Sequence, residues 1–168
     1  MNISQNTETS IGISSILPFI TILFLIVIMV LPYNIPLIGD IMPFLTMIGV
    51  YYWSVFKPEL LPTSAVFILG LLQDVLLGSP LGLMPLLLII VQQFIFFQGR
   101  QFLERDFIFN WFVFVMMVTG FGFLSWGIAS LYFKVMLDYI GILGQILLTI
   151  AFYPIVTWAL GWVRKVIG

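Results

Sequence analysis

Six apolar runs, separated by short clusters of proline, glycine or charge, constrain this chain more than any other feature of it. Runs of roughly 20 apolar residues match the hydrocarbon thickness of a bilayer in helical form, and lipid permits only structures that satisfy every backbone polar group internally. The first run covers about 14–31 and ends at Pro32, Tyr33, Asn34 and Pro36, two prolines too close together for a helix to continue. A second covers about 37–56 and stops at Lys57, Pro58, Glu59 and Pro62. The third, 63–77, is short and ends at Gly78, Ser79 and Pro80, where Ser79 is placed to N-cap a fourth helix with Pro80 in its first position, running to about Gln98. The polar stretch 99–106 precedes a fifth run from Ile108 to about Phe133, and the sixth covers Tyr139 to about Val163. The expected fold is therefore an all-α integral membrane protein, a six-helix transmembrane bundle. Its third and fourth helices are the pair most easily mistaken for a hairpin that does not fully cross.

Composition excludes most alternatives. Of 168 residues, 62% are hydrophobic and 8% charged, and a soluble domain draws about a quarter of its residues from Asp, Glu, Lys and Arg. The chain has no cysteine and no histidine, which removes thiolate nucleophiles, disulfides, Cys/His zinc sites and histidine bases from consideration. A net charge of −1 gives no basic footprint for nucleic acid. No phosphate cradle, paired carboxylate or Ser/Lys dyad is visible, so neither an enzyme nor a bound cofactor or metal is expected.

The few charges set an orientation. With six spans, Lys57, Arg100, Arg105, Arg164 and Lys165 fall on one face and Lys134 alone on the other, which by the positive-inside rule puts both termini in the cytoplasm. Residues 1–13 then read as a polar cytoplasmic tail without fixed structure, 14–163 as a single transmembrane domain, and 164–168 as a short basic cytoplasmic end. The first run lacks a basic flank and a small-residue cleavage site, so it reads as a retained helix.

Asp74 is the leading candidate for a site, since a carboxylate about four residues inside the outer end of the third span is costly against lipid. It either belongs to a contact site or accepts hydrogen bonds from the turn at Gly78. The same topology puts Asp40, Asp74, Lys134 and Asp138 on the outer face, where Lys134 pairs with Asp74 or Asp40 or each is separately solvated. Gln92, Gln93 and Gln145 are expected in interhelical hydrogen bonds, and Gly70, Gly141, Gly144 and Ser125 with Ala129 in close helix packing. Tyr51, Tyr52 and Trp53, with Trp158 and Trp162, suit an aromatic belt on the cytoplasmic side.

The stretch YYWSVFKPELLPTSAVFILGLLQDVLLGSPLGL, residues 51–83, resembles the bacterial rod-shape-determining MreD family. The matching features are the aromatic pair with Trp53, Pro58 and Pro62, Phe67, Gly70 with two leucines, Asp74, Gly78, and Pro80-Leu81-Gly82. The resemblance implies a multi-pass inner-membrane, non-enzymatic component of the machinery that directs peptidoglycan synthesis during elongation. It implies MreC as direct partner, with MreB, RodA and a class B penicillin-binding transpeptidase as further members. It also implies a fold similar to the substrate-binding subunits of energy-coupling-factor transporters, which leaves a vitamin-like or lipid ligand as the alternative function. On this reading Asp74, Gly70, Gly78, Ser79, Pro80, Gly82, Asp40, Lys134, Pro58 and Pro62 are contact or structural residues. Arg100 and Arg105 form a cytoplasmic loop facing MreB or membrane lipid.

Overall fold

The prolines and glycines that punctuate the sequence delimit the helices of the computed structural model, which describes residues 3–31, 41–98 and 107–167. Among these residues there are six α-helices: α1 (Ile3–Val30), α2 (Leu45–Phe56), α3 (Thr63–Leu77), α4 (Leu83–Gln98), α5 (Phe107–Phe133) and α6 (Tyr139–Ile167). A 3-10 turn, Pro58–Leu60, joins α2 to α3. The apolar stretches Ile108–Phe133 and Tyr139–Lys165 are long and apolar enough to cross a membrane. By contrast α3 and α4, at 15 and 16 residues, reach only about 22–24 Å, short of a hydrocarbon core of about 30 Å.

Three boundaries differ from those read in the sequence. The backbone of α1 is helical from Ile3, so the polar segment expected to lack fixed structure continues the first helix, with no proline before Pro18 to stop it. The second helix begins at Leu45 instead of near 37: Pro43 has no N–H and disfavours helix at Met42, leaving 41–44 non-helical. There the Phe44 N–H donates to Thr149 Oγ1 at 2.9 Å, tying the start of α2 to α6. The fourth helix starts at Leu83, three residues beyond Pro80, for a reason that lies in α3.

Short α2 is the axis of the bundle, and every residue from Leu45 to Val55 is buried. A helix apolar on all sides belongs inside a protein, and α2 packs against α1, α4 and α6. Tyr51, Tyr52 and Trp53 therefore form the core and not the interfacial belt that their aromatic character predicts. Tyr51 meets Phe114 of α5 edge-on at 5.2 Å, and Phe114 stacks on Tyr153 of α6 at 4.0 Å. Trp53 Nε1 donates to Thr21 Oγ1 of α1 at 2.9 Å, so the buried indole has its partner. Trp158 and Trp162, in contrast, are exposed, and Arg164 lies over the Phe56 ring at 4.5 Å.

Candidate functional site

The α3–α4 hairpin is built so closely that one position has no room for a side chain. A Cβ on Gly70 would sit 2.6 Å from both the N and the Cα of Pro85, so α3 and α4 touch backbone to backbone. Pro85 suits this contact, since it lies in the first turn of α4 where an amide has no intrahelical acceptor. That proximity carries the Asp74 carboxylate from the last turn of α3 to the N-terminus of α4.

Asp74 is 1% exposed and gathers the turn around itself. Its Oδ1 accepts from the Ser79 hydroxyl at 2.5 Å and its Oδ2 from the Gly82 N–H at 2.8 Å. The Met84 N–H lies 3.3 Å from each oxygen. Its main-chain oxygen receives the Gly78 and Ser79 amides, closing α3 with Gly78 in the left-handed region at φ 68°. Amides at the start of α4 that have no partner within their own helix are thus capped by a carboxylate from the preceding helix, which also complements the positive end of the helix dipole. Ser79 is accordingly not the N-cap of α4: its hydroxyl turns back to Asp74, and the Pro80 oxygen accepts the Leu83 N–H at 3.0 Å. Gly82 precedes α4 at φ 96°, a conformation that suits glycine.

Of the arrangements that the sequence leaves open for Lys134, an ion pair with Asp74 does not form. Lys134 is exposed, occupies φ 54° at the end of α5, and makes no contact with Asp74, whose acceptors are already filled by the turn. Asp138 instead caps α6, its Oδ1 accepting from the Ile140 N–H at 3.0 Å. Asp40, Arg100 and Arg105 lie outside the described residues. Pro58 and Pro62 stand at the opposite end of α3, where Pro62 precedes its first turn and the adjacent Leu61 oxygen accepts from Gln92 Nε2 at 2.8 Å. Gln93 reaches Thr63 Oγ1 at 3.3 Å, so Gln92 and Gln93 both bind across to the N-terminal end of α3 as their type predicts.

Beside the capped turn lies a cavity of about 750 Å³. It is bounded by the end of α1, the approach to α2, the α3–α4 turn, and the facing ends of α5 and α6. Ser79 and Pro80 form part of its wall, as does Gln145, whose side chain makes no hydrogen bond to another helix among the described residues. Ser125, which is buried, and Ala129, which packs against the core, also line this space. Gln73, next to Asp74, is a wall residue that the sequence reading passed over: it is 2% exposed, and its Oε1 is buried without a hydrogen-bond donor. The available signal was the one amide side chain of α3 adjoining its one carboxylate.

Long apolar helices and an outward-facing apolar surface are those of an α-helical bundle suited to a membrane. A family model for rod shape-determining protein MreD matches residues 10–165, nearly the whole chain, and the chain belongs to that family. Its role is accordingly in rod-shape determination. No curated protein and no solved structure matches it.

Proposed function

We propose that the chain is a non-enzymatic scaffold of the cell-elongation machinery, docking MreC near its membrane anchor at the end of the bundle that carries the capped α3–α4 turn. The cavity of about 750 Å³ beside that turn carries this reading. A concave surface with fixed polar walls on one flank, in a chain whose connections are nearly all short, is a docking feature more than a catalytic one. The distribution of Lys and Arg supports an inner-membrane protein with six spans, both termini cytoplasmic, and this end facing outward. MreB, RodA and a class B penicillin-binding transpeptidase join through the same assembly.

Capture of MreC by tagged protein in mild detergent tests the proposal. Recovery is expected for the native chain and lost for Asp74→Ala and Gly78→Leu, which dismantle the turn. It is also expected to be lost for Ala129→Trp, which fills the cavity and leaves the turn alone. Failure of the native chain to recover MreC, under conditions that preserve other membrane pairs, contradicts the scaffold.

The cavity also favours a second reading, since its volume lies in the range of small-ligand pockets. In that case the chain holds a vitamin-like or lipid molecule, in the manner of the transporter binding subunits whose fold the family resemblance implies. A melting temperature raised by such a compound, and not by MreC, is the result that supports it.

A further inference from the structure

We infer that the end of the bundle opposite the capped turn holds the phosphate of an anionic phospholipid, seated between α2 and α6 on the Arg164 guanidinium with Lys57 and the Tyr52 hydroxyl beside it. The docking reading above concerns the other end, so the two stand or fall separately.

The guanidinium is held in place but left unmatched. Arg164 is half-buried in the last turn of α6, over the Phe56 ring of α2 at 4.5 Å and the Tyr52 ring at 6.0 Å. A ring face attracts the charge, yet it leaves the N–H donors in the plane of the guanidinium without an oxygen acceptor. Among the described residues Arg164 makes no ion pair and no side-chain hydrogen bond. A second cation follows at once. Lys57 adjoins Phe56, with Cα atoms about 3.8 Å apart, and its ammonium is equally unpaired among the described residues. Glu59, the nearest acid in sequence, is exposed and bridges to neither. The Tyr52 hydroxyl adds a further donor: it would stand 3.6 Å from a Cβ on Gly161, one turn before Arg164, and it makes no hydrogen bond among the described residues.

The helix dipole alone does not account for this arrangement. Cations in the last turn of α6 complement its negative end wherever they point. Lys165 shows the ordinary case, since it lies three and seven residues beyond Trp162 and Trp158 and continues their exposed stripe. Arg164, three residues after Gly161, falls on the face turned to α2.

Depth and chemistry choose the ligand. Exposed tryptophans at this level of α6 mark the headgroup zone, where lipid phosphates lie. A guanidinium donates two parallel N–H bonds to a phosphate, and the ammonium and phenol supply donors for its remaining oxygens. Two unpaired cations favour a lipid of net negative charge over a zwitterion, whose own ammonium they repel.

Full-length protein in neutral detergent is titrated with phosphatidylglycerol and, for comparison, phosphatidylcholine, and bound lipid is counted by native mass spectrometry. The native chain is expected to retain one phosphatidylglycerol under conditions that strip phosphatidylcholine. Arg164→Gln is expected to raise the half-saturating concentration about tenfold, and Lys57→Gln or Tyr52→Phe about threefold, whereas Lys165→Gln changes it by less than about twofold. Lys57→Gln and Tyr52→Phe leave Arg164 on the Phe56 ring, so they read the site even where Arg164→Gln loosens the fold.

Equal weakening by Arg164→Gln and Lys165→Gln reduces the effect to charge at the interface and overturns the inference. Inorganic phosphate that displaces the lipid at equal concentration makes the ligand a soluble anion and also overturns it. Unchanged retention in Arg164→Gln overturns it too, and loss of MreB from a pull-down with that variant then gives the cation to an acidic protein surface.

Discussion

Asp74 and Gly70 act on the same hairpin by opposite means, one through filled acceptors and the other through a missing side chain. Replacing Asp74 with Leu leaves the buried Met84 amide and the half-buried Ser79 hydroxyl and Gly82 amide without their acceptor. Each orphaned group costs about 1–3 kcal/mol, so a loss of at least 2 kcal/mol is expected in denaturation of the purified protein. Asp74→Asn retains one acceptor oxygen and should fall between the two. Gly70→Ala forces a Cβ into the backbone of Pro85 and is expected to cost about 1–3 kcal/mol by the same measurement. Pro85→Ala should not relieve it, because the clash is with the N and Cα that every residue has. The sequence left Asp74 between a contact site and hydrogen bonds from the turn at Gly78, and the turn does donate to it. Its donors lie five to ten residues away across a turn, and Lys134, the obvious cation, is exposed and makes no contact with Asp74. A double-mutant cycle of Asp74→Asn with Lys134→Gln is therefore expected to show coupling within about 0.5 kcal/mol of zero.

At the scale of elements, legibility followed the punctuation. Helix α3 was readable from Thr63 to Leu77 because Pro62 opens it and Gly78 closes it by local rules. The start of α4 was not, since its cap comes from another helix and a local Ser-Pro pattern pointed three residues too early. Nor was the role of α2, whose run of aromatics and aliphatics gives the same composition whether it faces lipid or protein. Only its neighbours α1, α4 and α6 decide the matter. The Trp53–Thr21 bond that fixes α2 to α1 yields a further expectation. Trp53→Phe leaves Thr21 able to donate to its own helix at Leu17 and removes one buried hydrogen bond, lowering stability by about 1 kcal/mol. Trp162→Phe, at an exposed ring, should change melting little.

For the whole molecule, the family and the helical membrane architecture were legible, while the cavity was not. Its wall is assembled from α1, the approach to α2, the α3–α4 turn, α5 and α6, and no sequence period connects those segments. At this scale the decisive measurement is cell shape. In rod-shaped cells depleted of their own family member, the native chain is expected to restore rods. Ala129→Trp should leave cells round while the protein accumulates normally, and Lys134→Gln should restore rods as the native chain does. Round cells with Lys134→Gln would return that cation to the functional surface.

The borrowed cap of α4 also bears on how the chain enters a bilayer. Alone in hydrocarbon, α3 carries a carboxylate with no donors, and α4 carries main-chain donors with no acceptor. Neither helix is complete until the other is beside it. The pair is thus the smallest unit that the insertion machinery can release into lipid, and hairpin release from the translocon, measured by stalling synthesis between Leu83 and Gln98, should await the arrival of α4.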